Sequence, residues 1–273
     1  MKVAMASSPG HADRPNEDFV GAGPGAVVLL DGAGNPETDS VCRHGVAWYS
    51  HTLGTTLLGR LFREPGTNLA AALADSIGHV SGLHRHSCDL ASPISPQATV
   101  AIVRLGDEQV DYFVLADAFV ALDLSESGPQ IITDSREVDV RSECTSSLRD
   151  LTAGTPEYER ALLSATDAFR ARRNQPGGYW IAKDDPEAAM QAVAGSVPLH
   201  QLAGAALLSN GASRIVDPYR LAEWPTVLDL IRTDGPDEVL RRVREAEATA
   251  QRAGSIADGG RPDDATVAYC EPA

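Results

Sequence analysis

The sequence contains few of the features that mark membrane, secreted or nucleic-acid-binding proteins. No apolar run approaches the length of a membrane helix, and the first residues are too short in apolar length for a signal peptide. We therefore expect a cytoplasmic protein that has no membrane partner. Its four cysteines are scattered without paired spacing, which favours reduced thiols over a disulfide framework.

Basic residues are scarce relative to acidic ones. The chain has 23 lysines and arginines against 38 aspartates and glutamates, and its formal net charge is −15. Because phosphate backbones are bound by basic faces, this balance argues against nucleic acid as a partner. The same charge creates a field that favours divalent cations.

Low-complexity segments are absent as well, and the composition predicts one folded unit. A chain of 273 residues with 43% hydrophobic content can bury a large core, and nothing in it resembles a linker. We predict a single domain over residues 1–273, and we expect it to be a monomer.

Carboxylates recur at the ends of apolar runs. The run at 27–30 is predicted to be a buried strand ending at Asp31, the run at 112–115 precedes Asp117, and another run begins just after Asp264. Carboxylates gathered without matching basic residues repel one another. One or more hard divalent cations with oxygen ligands are the usual remedy.

Apolar periodicity predicts the order of strands and helices. Strands are predicted at residues 2–8, 27–30, 98–104, 109–115, 119–122, 130–133, 203–209 and 266–270. Helices are predicted at 40–61, 68–83, 224–231 and from Pro236 to near Gly254. Residues 144–198 are interpreted as helices around a glycine-rich break. Strands in blocks separated by helix pairs indicate a layered α+β domain.

Six short motifs occur in an order that resembles the metal-dependent serine/threonine phosphatases of type 2C, the PPM family, in its bacterial form. In chain order they are Asn16-Glu17-Asp18, Asp31-Gly32-Ala33-Gly34, Ala116-Asp117-Ala118, Ile132-Thr133-Asp134, Leu207-Leu208-Ser209-Asn210-Gly211 and Asp263-Asp264-Ala265-Thr266-Val267. They resemble the family elements N-E-D, D-G-x-G, G-D-S, L-T-x-D, L-x-S-D-G and D-N-x-T-V. Any one of the six is weak, since Asp-Gly alone is ordinary turn chemistry, but all six in order are hard to obtain by chance.

The resemblance implies a fold and a reaction. The fold is a four-layer αββα sandwich, in which two antiparallel β-sheets lie face to face with helices outside both. A variable flap at about residues 140–198 would lie over the active site. The reaction is hydrolysis of a phosphomonoester by a hydroxide that bridges two Mn²⁺ or Mg²⁺ ions, without a covalent protein nucleophile.

The resemblance also assigns candidate metal ligands. Asp31 would bridge two ions, Glu17 and the Gly32 carbonyl would complete one site, and Asp263 would serve the other. Asp117 is the candidate for a third, weaker site. The full set of candidate metal ligands is Glu17, Asp31, Gly32, Asp117, Asn210 and Asp263.

Two further residues receive catalytic roles by resemblance. Asp18 would orient bound waters. Arg14 would hold the phosphate, because its planar guanidinium matches two phosphoryl oxygens. Arg14 is one residue nearer the N-E-D element than in the common family spacing, and neutralising Asp13 or Glu17 is an equal alternative role for it.

The chain departs from the family pattern elsewhere. Asn210 replaces a metal-ligating aspartate, so one site should be weakened by the loss of a full charge, and Asp264 is a candidate replacement ligand. Ala33 stands where some relatives have a histidine that acts as general acid. The leaving-group proton would then come from water or from another residue such as His11.

The leading hypothesis is therefore a phosphatase. Its substrate is phosphoserine or phosphothreonine in a protein, or a small phosphorylated metabolite, and the sequence does not choose between them. One rival is a pseudophosphatase, a regulatory module that binds a phosphoprotein without turnover, which Asn210 favours. Another is an N-terminal-nucleophile amidohydrolase, a superficially similar sandwich, but the N-terminus offers no obvious processed nucleophile.

A second metal site receives little support from the sequence. His79, His84, His86 and Cys88 are closely spaced, but the spacing matches no standard zinc motif. We interpret them as a helix end and a solvated loop. Cys42 lacks any adjacent motif for a nucleophilic thiol and is interpreted as a small buried residue.

Overall fold

The computed structural model describes residues 1–35, 37–253 and 261–272. In these residues ten strands form two five-stranded sheets in which all neighbours are antiparallel. The strands are β1 (Lys2–Ser8), β2 (Phe19–Ala22), β3 (Ala26–Ala33), β4 (Gln97–Leu105), β5 (Gln109–Leu115), β6 (Phe119–Leu124), β7 (Gln130–Ile132), β8 (Val193–Pro198), β9 (Leu202–Leu208) and β10 (Ala265–Glu271). The first sheet has the order β1-β10-β9-β6-β7, and the second has the order β2-β3-β4-β5-β8.

Helices pack on the outer face of each sheet and also occur in the segment between β7 and β8. They are α1 (Thr38–Val41), α2 (Gly45–Arg63), α3 (Leu69–His84), α4 (Arg136–Thr145), α5 (Pro156–Ala171), α6 (Asn210–Ser213), α7 (Trp224–Asp234) and α8 (Pro236–Arg252). One core lies between the second sheet and helices α2 and α3, and another lies between the first sheet and helices α7 and α8. A third core lies between the two sheets. The layers therefore run helix, sheet, sheet, helix, which confirms the predicted α+β four-layer αββα sandwich.

β3 shows how one short apolar run fills two cores. Val28 and Leu30 face the helices, whereas Val27 and Leu29 face the other sheet, and all four are fully buried. Successive strand side chains point to opposite faces, so a strand covered on both sides has a continuous apolar sequence. The run is therefore unbroken up to Asp31.

Several predicted elements have different bounds in the structure, and two of these differences lie near the acidic motifs. β3 continues past Leu30 through Asp31 to Ala33, because the backbone pairing with β4, in which Asp31 lies opposite Thr99, needs no apolar side chain. The helix predicted at 40–61 is divided into α1 and α2 by an extended Cys42 and by Gly45, whose φ of +75° a glycine adopts without strain. The predicted end of the last helix near Gly254 lies outside the described residues.

The segment predicted to be a flap lies between β7 and β8. Helices α4 and α5 lie there, and a small core of Val140, Tyr179 and Ile181 joins them to the strand end at Ala116. The interpretation of 144–198 as helices throughout is wrong at its end, because Val193–Pro198 is the edge strand β8, paired with β5. Most β8 side chains are exposed or half-buried, so the strand lacks the apolar alternation that would have predicted it.

In the described part of the chain, none of the helices combines the length and the apolar character needed to cross a bilayer.

Candidate metal centre

Strand register brings the first two acidic motifs together. β2 pairs with β3 so that Phe19 lies opposite Leu30, which places the residues before β2 next to the end of β3. Asp18 therefore comes close to Asp31, and the two carboxylates repel each other.

The first sheet delivers the other motifs to the same end. β6 pairs with β9 so that Phe119 lies opposite Leu208, which places Asp117 beside Asn210. The Asn210 side-chain amide donates a hydrogen bond to Asp117 Oδ2 at 2.8 Å. Its backbone N–H donates to Asp31 Oδ2 at 3.0 Å, so Asn210 connects the two sheets.

The loops at this end enclose a cavity of about 730 Å³. All six candidate metal ligands lie on its wall: Glu17, Asp31, Gly32, Asp117, Asn210 and Asp263. Asp18 lies behind the wall and is 4% exposed. Arg14 does not line this cavity but an adjoining one of about 490 Å³, whose wall also includes His11, Glu17 and Asp263.

Gly32 allows the loop before β2 to pack against β3. A Cβ at this position would overlap the Glu17 carbonyl oxygen and the Val46 side chain. The same Glu17 carbonyl accepts a hydrogen bond from Ser50 Oγ at 2.5 Å, and the Asp18 carbonyl accepts one from His51 Nε2 at 2.9 Å. Helix α2 therefore holds the acidic loop against the strand that carries Asp31.

Burial and mutual repulsion raise the pKa values of the carboxyl groups here. Burial, followed by the charges of Asp264 and Asp263, raises the pKa of Glu17 to about 7, although Arg14 lowers it. Burial raises the pKa of Asp31 well above its usual range, and the charge of Asp18 raises it further. In the protein alone these carboxylates are therefore buried and repel one another, and a bound cation would relieve that repulsion.

The Asp18 carboxylate gives the most direct sign that the protein itself does not supply every polar contact needed at this site. Burial raises its pKa to about 7, and the Thr266 and Ser209 hydroxyls nearby lower it. Neither carboxylate oxygen, however, has a hydrogen-bond partner of ordinary geometry among the described residues, and the same is true of Thr99 Oγ1 and Gln97 Oε1 on the cavity wall. Buried oxygens of this kind normally contact ordered water or an ion.

Asp263 and Asp264 have different surroundings. Arg214 donates a hydrogen bond to Asp263 Oδ2 at 2.7 Å, so the candidate ligand already has a cationic partner. Asp264 accepts the backbone N–H groups of Gly10 at 2.7 Å and Glu17 at 2.5 Å. Both of its oxygens therefore fasten the N-terminal loop, and the role of Asp264 as a replacement ligand for the aspartate missing at Asn210 stays a prediction from the sequence.

The cavity is also lined by arginines that the sequence analysis did not identify. Helices α4 and α5 and the segment after them contribute Arg141, Arg170 and Arg173, together with Glu137. Arg141 pairs with Glu137 at 2.6 Å and lies 4.4 Å from the centre of the Phe169 ring. No motif marks these residues, and the only local signal is the i,i+4 spacing of Glu137 and Arg141.

The donor set fits hard divalent cations better on one side of the centre than on the other. Glu17, Asp31 and the Gly32 carbonyl offer the oxygen ligands that Mg²⁺ and Mn²⁺ prefer, and neither carboxylate forms an ion pair with another described residue. On the other side, the Asn210 amide carries no charge and Arg214 neutralises Asp263.

Comparison with known proteins shows a structural likeness only. No protein-family model matches this chain, and no curated protein matches it. Among solved structures, the serine/threonine phosphatase PstP/Ppp of Mycobacterium tuberculosis is 18% identical with a TM-score of 0.59, over 99% of this chain and 97% of that one. The PstP catalytic domain in complex with two manganese ions is 19% identical with a TM-score of 0.58, over 99% and 97%. The PPM phosphatase MsPP of Mycobacterium smegmatis, in complex with cacodylate, is 17% identical with a TM-score of 0.57, over 100% and 99%.

The likeness covers nearly the full length of every chain in this comparison. At such low identities it shows that this chain has the fold of the PPM-type serine/threonine phosphatases, as the motif order predicted.

Proposed function

We propose that this protein is a divalent-metal-dependent phosphatase that hydrolyses phosphoserine or phosphothreonine in proteins. The observation that carries the proposal is a cavity lined both by crowded carboxylates and by the arginines of α4, α5 and the segment after them. Carboxylates suit metal cations, and arginines suit the phosphoryl oxygens of an anionic substrate. The fold shared with serine/threonine phosphatases supports the same reaction class.

The carboxylates and the arginines of the cavity would have different roles. Glu17, Asp31 and the Gly32 carbonyl would hold the metal, while Asp263 would serve a second ion once it leaves Arg214. The chemistry that such ions supply when bound is activation of a water and neutralisation of phosphoryl charge. Asp18 would accept a hydrogen bond from a water and fix its orientation.

The flap arginines would bind the phosphoryl group. Arg141 is held toward the cavity by its ion pair with Glu137 and by the face of Phe169. Among the described residues, the one ionic contact of Arg170 is a long one of 3.9 Å with the exposed Asp167, so its guanidinium is available to an anion. Arg14 keeps its proposed role as a second phosphate ligand approaching from the adjoining cavity.

The partners follow from this proposal. We propose phosphorylated proteins as substrates, a monomeric chain, and a reducing cytoplasmic setting that suits its four cysteines, which are unpaired in the structure. A small phosphorylated metabolite is the alternative substrate, and the assay below includes one.

A second candidate function is an attenuated enzyme that binds phosphoproteins with little or no turnover. Two contacts favour it. Asn210 stands where the family pattern has a carboxylate, and its side-chain amide donates a hydrogen bond to Asp117. Arg214 forms an ion pair with Asp263. Both contacts lower the negative charge available to the second ion.

The test compares phosphate release with Mn²⁺ or Mg²⁺ from an aryl phosphate, a phosphothreonine peptide and a sugar phosphate. The unchanged chain is measured beside Asn210→Asp and Asp31→Asn. We expect Mn²⁺-dependent release from the peptide by the unchanged chain, with no release by Asp31→Asn. Preference for the sugar phosphate would replace the protein substrate by a metabolite.

Two other outcomes decide between the candidate functions. Release by Asn210→Asp alone would identify an attenuated protein on a competent scaffold. If no variant releases phosphate and none binds Mn²⁺, the phosphatase proposal is wrong.

A further inference from the structure

A compact cluster of two cysteines and two histidines lies outside the carboxylate centre. Cys42, His44, His84 and Cys88 each offer one ligand atom, and these four atoms all lie within 4.8 Å of one another. Cys42 and His84 are buried, and His44 and Cys88 are half-buried. The sequence interpretation placed His84 and Cys88 at a helix end and a solvated loop, and it missed their two partners.

Two separate segments build this cluster. Cys42 and His44 occupy the break between α1 and α2, while His84 is the last residue of α3. After α3 the chain turns back, and the Cys88 backbone N–H donates to the His84 carbonyl at 3.0 Å. The next residue, Asp89, donates its N–H to the Val41 carbonyl at 2.9 Å, which ties the second segment to the first.

Three of the six separations between these atoms are close to the edges of a tetrahedron around a metal, and the other three are within 4.8 Å. His44 Nδ1 lies 3.3 Å from Cys88 Sγ and 3.9 Å from Cys42 Sγ, and His84 Nδ1 lies 3.6 Å from Cys42 Sγ. Bond lengths of about 2.3 Å to sulfur and 2.0–2.1 Å to nitrogen give tetrahedral edges of about 3.3–3.8 Å. The four atoms therefore need to move only slightly to coordinate one ion.

We infer that Cys42, His44, His84 and Cys88 form a structural zinc site. Two thiolates and two imidazoles are soft and borderline donors that suit Zn²⁺, whereas the oxygen donors around Asp31 suit Mg²⁺ or Mn²⁺. Four protein ligands complete the tetrahedron and leave no open position for a substrate, which is typical of a structural rather than a catalytic zinc. Binding would displace the two thiol protons.

The position of this zinc site gives it a purpose in the fold. The segment after Cys88 continues into Pro93, Ile94 and Ser95, which line the carboxylate cavity. The Ile94 carbonyl accepts a hydrogen bond from Thr38 Oγ1 at 3.0 Å, and Thr38 is the first residue of α1. The ion would therefore fasten together the two loops that form this side of the cavity.

Trp48 provides a local reporter. Its ring is stacked on His44 with centroids 4.4 Å apart, and it lies 5.0 Å from the His84 ring. A paramagnetic ion bound by these histidines should quench its fluorescence strongly, because the ion would lie within a few ångströms of the indole.

The test adds Co²⁺ and then Zn²⁺ to the reduced, metal-free full-length protein. We expect one equivalent of Co²⁺ to give thiolate-to-cobalt charge transfer, tetrahedral d–d bands and Trp48 quenching, and one equivalent of Zn²⁺ to remove all three. Cys88→Ser should weaken Co²⁺ binding at least about a hundredfold. Cys144→Ser, a half-buried cysteine outside the cluster, should bind as the unchanged chain does. Asp31→Asn should also leave the Co²⁺ bands unchanged, which separates this site from the carboxylate centre.

The spectrum of the unchanged chain decides the question even if Cys88→Ser fails to fold. Absence of thiolate-to-cobalt bands in the fully reduced chain would overturn the zinc site. So would bands of equal strength and affinity in a folded Cys88→Ser protein. A third contradicting result is a Cys42–Cys88 disulfide in the protein, with no Co²⁺ binding after the disulfide is reduced. This result would show that the two thiols pair with each other and do not bind a metal.

Discussion

At the scale of single residues, Asn210 organises the carboxylate centre. Its side-chain amide donates to Asp117, in the turn between β5 and β6, and its backbone N–H donates to Asp31 on β3. The side-chain amide thus occupies Asp117 Oδ2, an oxygen that a metal ion would otherwise contact. The amide also brings no negative charge to the binding of an ion.

Asn210→Asp should increase Mn²⁺ affinity at least about tenfold, because a full charge beside a divalent ion contributes well over 1.4 kcal/mol even after screening. Phosphate release should rise with it. Isothermal titration with Mn²⁺ measures the affinity. Asn210→Ser, which also removes the amide donor but adds no charge, is the control, and equal affinity for Mn²⁺ in the two variants would contradict a ligand role at this position.

Ala116 adopts a left-handed backbone immediately before Asp117. Its φ is +65°, at the position where the resembled motif has glycine. A non-glycine residue in this region costs about 1–2 kcal/mol, whereas glycine adds about 0.5–1 kcal/mol of unfolded-state entropy. Ala116→Gly should therefore leave the free energy of unfolding unchanged or raise it by up to about 1 kcal/mol.

Urea denaturation measures this effect, with Ala121→Gly as the matched control. Ala121 is equally buried, but it lies inside β6. Its replacement should destabilise the protein by about 1 kcal/mol or more. A similar loss in both variants would show that Ala116 is not strained.

At the scale of elements, helices α4 and α5 and the segment after them contribute three arginines to the cavity lining. Arg170 lies on α5, lines the cavity and has no ionic partner closer than 3.9 Å among the described residues. Arg170→Gln should raise the KM for a phosphothreonine peptide about tenfold, since a charged hydrogen bond to phosphate is lost, and it should leave kcat within about twofold.

Arg160→Gln on the same helix is the control for this prediction. Arg160 is exposed and pairs with Glu157. Steady-state kinetics of both variants measure the difference. An unchanged KM in Arg170→Gln, or an equal rise in Arg160→Gln, would remove the flap from phosphate binding.

The sequence predicted the elements that bury continuous apolar faces and missed two edge strands that do not. β3, β5 and the helices over each sheet have such faces, so their places followed from periodicity. β2 has four half-buried residues, and β8 is a largely exposed edge strand, so neither carries a pattern. Backbone pairing alone defines them.

The sequence predicted residues of the site only where they belong to a motif. The acidic residues at strand ends were found because their order along the chain is fixed by the fold. The flap arginines and the cluster of Cys42, His44, His84 and Cys88 arise from tertiary packing of helices distant in sequence, which leaves no local spacing to recognise. The cationic partner of Asp263, Arg214, was missed for the same reason.

At the scale of the whole molecule, the acidic centre should set the pH dependence of stability. Folding raises the pKa of Glu17 and Asp18 to about 7, from an ordinary value near 4 in the unfolded chain. Between about pH 4 and 7 the folded state therefore binds more protons than the unfolded state. The metal-free protein should become more stable as the pH falls from 8 toward 5.

Thermal unfolding in EDTA at pH 5.5 and 8 measures this slope. Asp18→Asn, which replaces a buried ionisable group with a neutral one of the same size, should raise the Tm at pH 8 and flatten the slope. Saturating Mn²⁺ should also raise the Tm at pH 8, because the ion binds the ionised carboxylates of the folded state. A Tm that falls from pH 8 to 5.5 in EDTA would contradict this electrostatic picture.

Binding of Mn²⁺ to the unchanged chain tests the carboxylate centre most directly. Free Mn²⁺ is followed by electron paramagnetic resonance as protein is added at pH 7.5, with Asp31→Asn beside it. A metal centre at Asp31 predicts that the free-ion signal falls with at least one ion bound per chain, and that Asp31→Asn leaves the signal nearly intact. If the unchanged chain leaves the signal as high as Asp31→Asn does, the carboxylates hold no metal and the phosphatase proposal loses its basis.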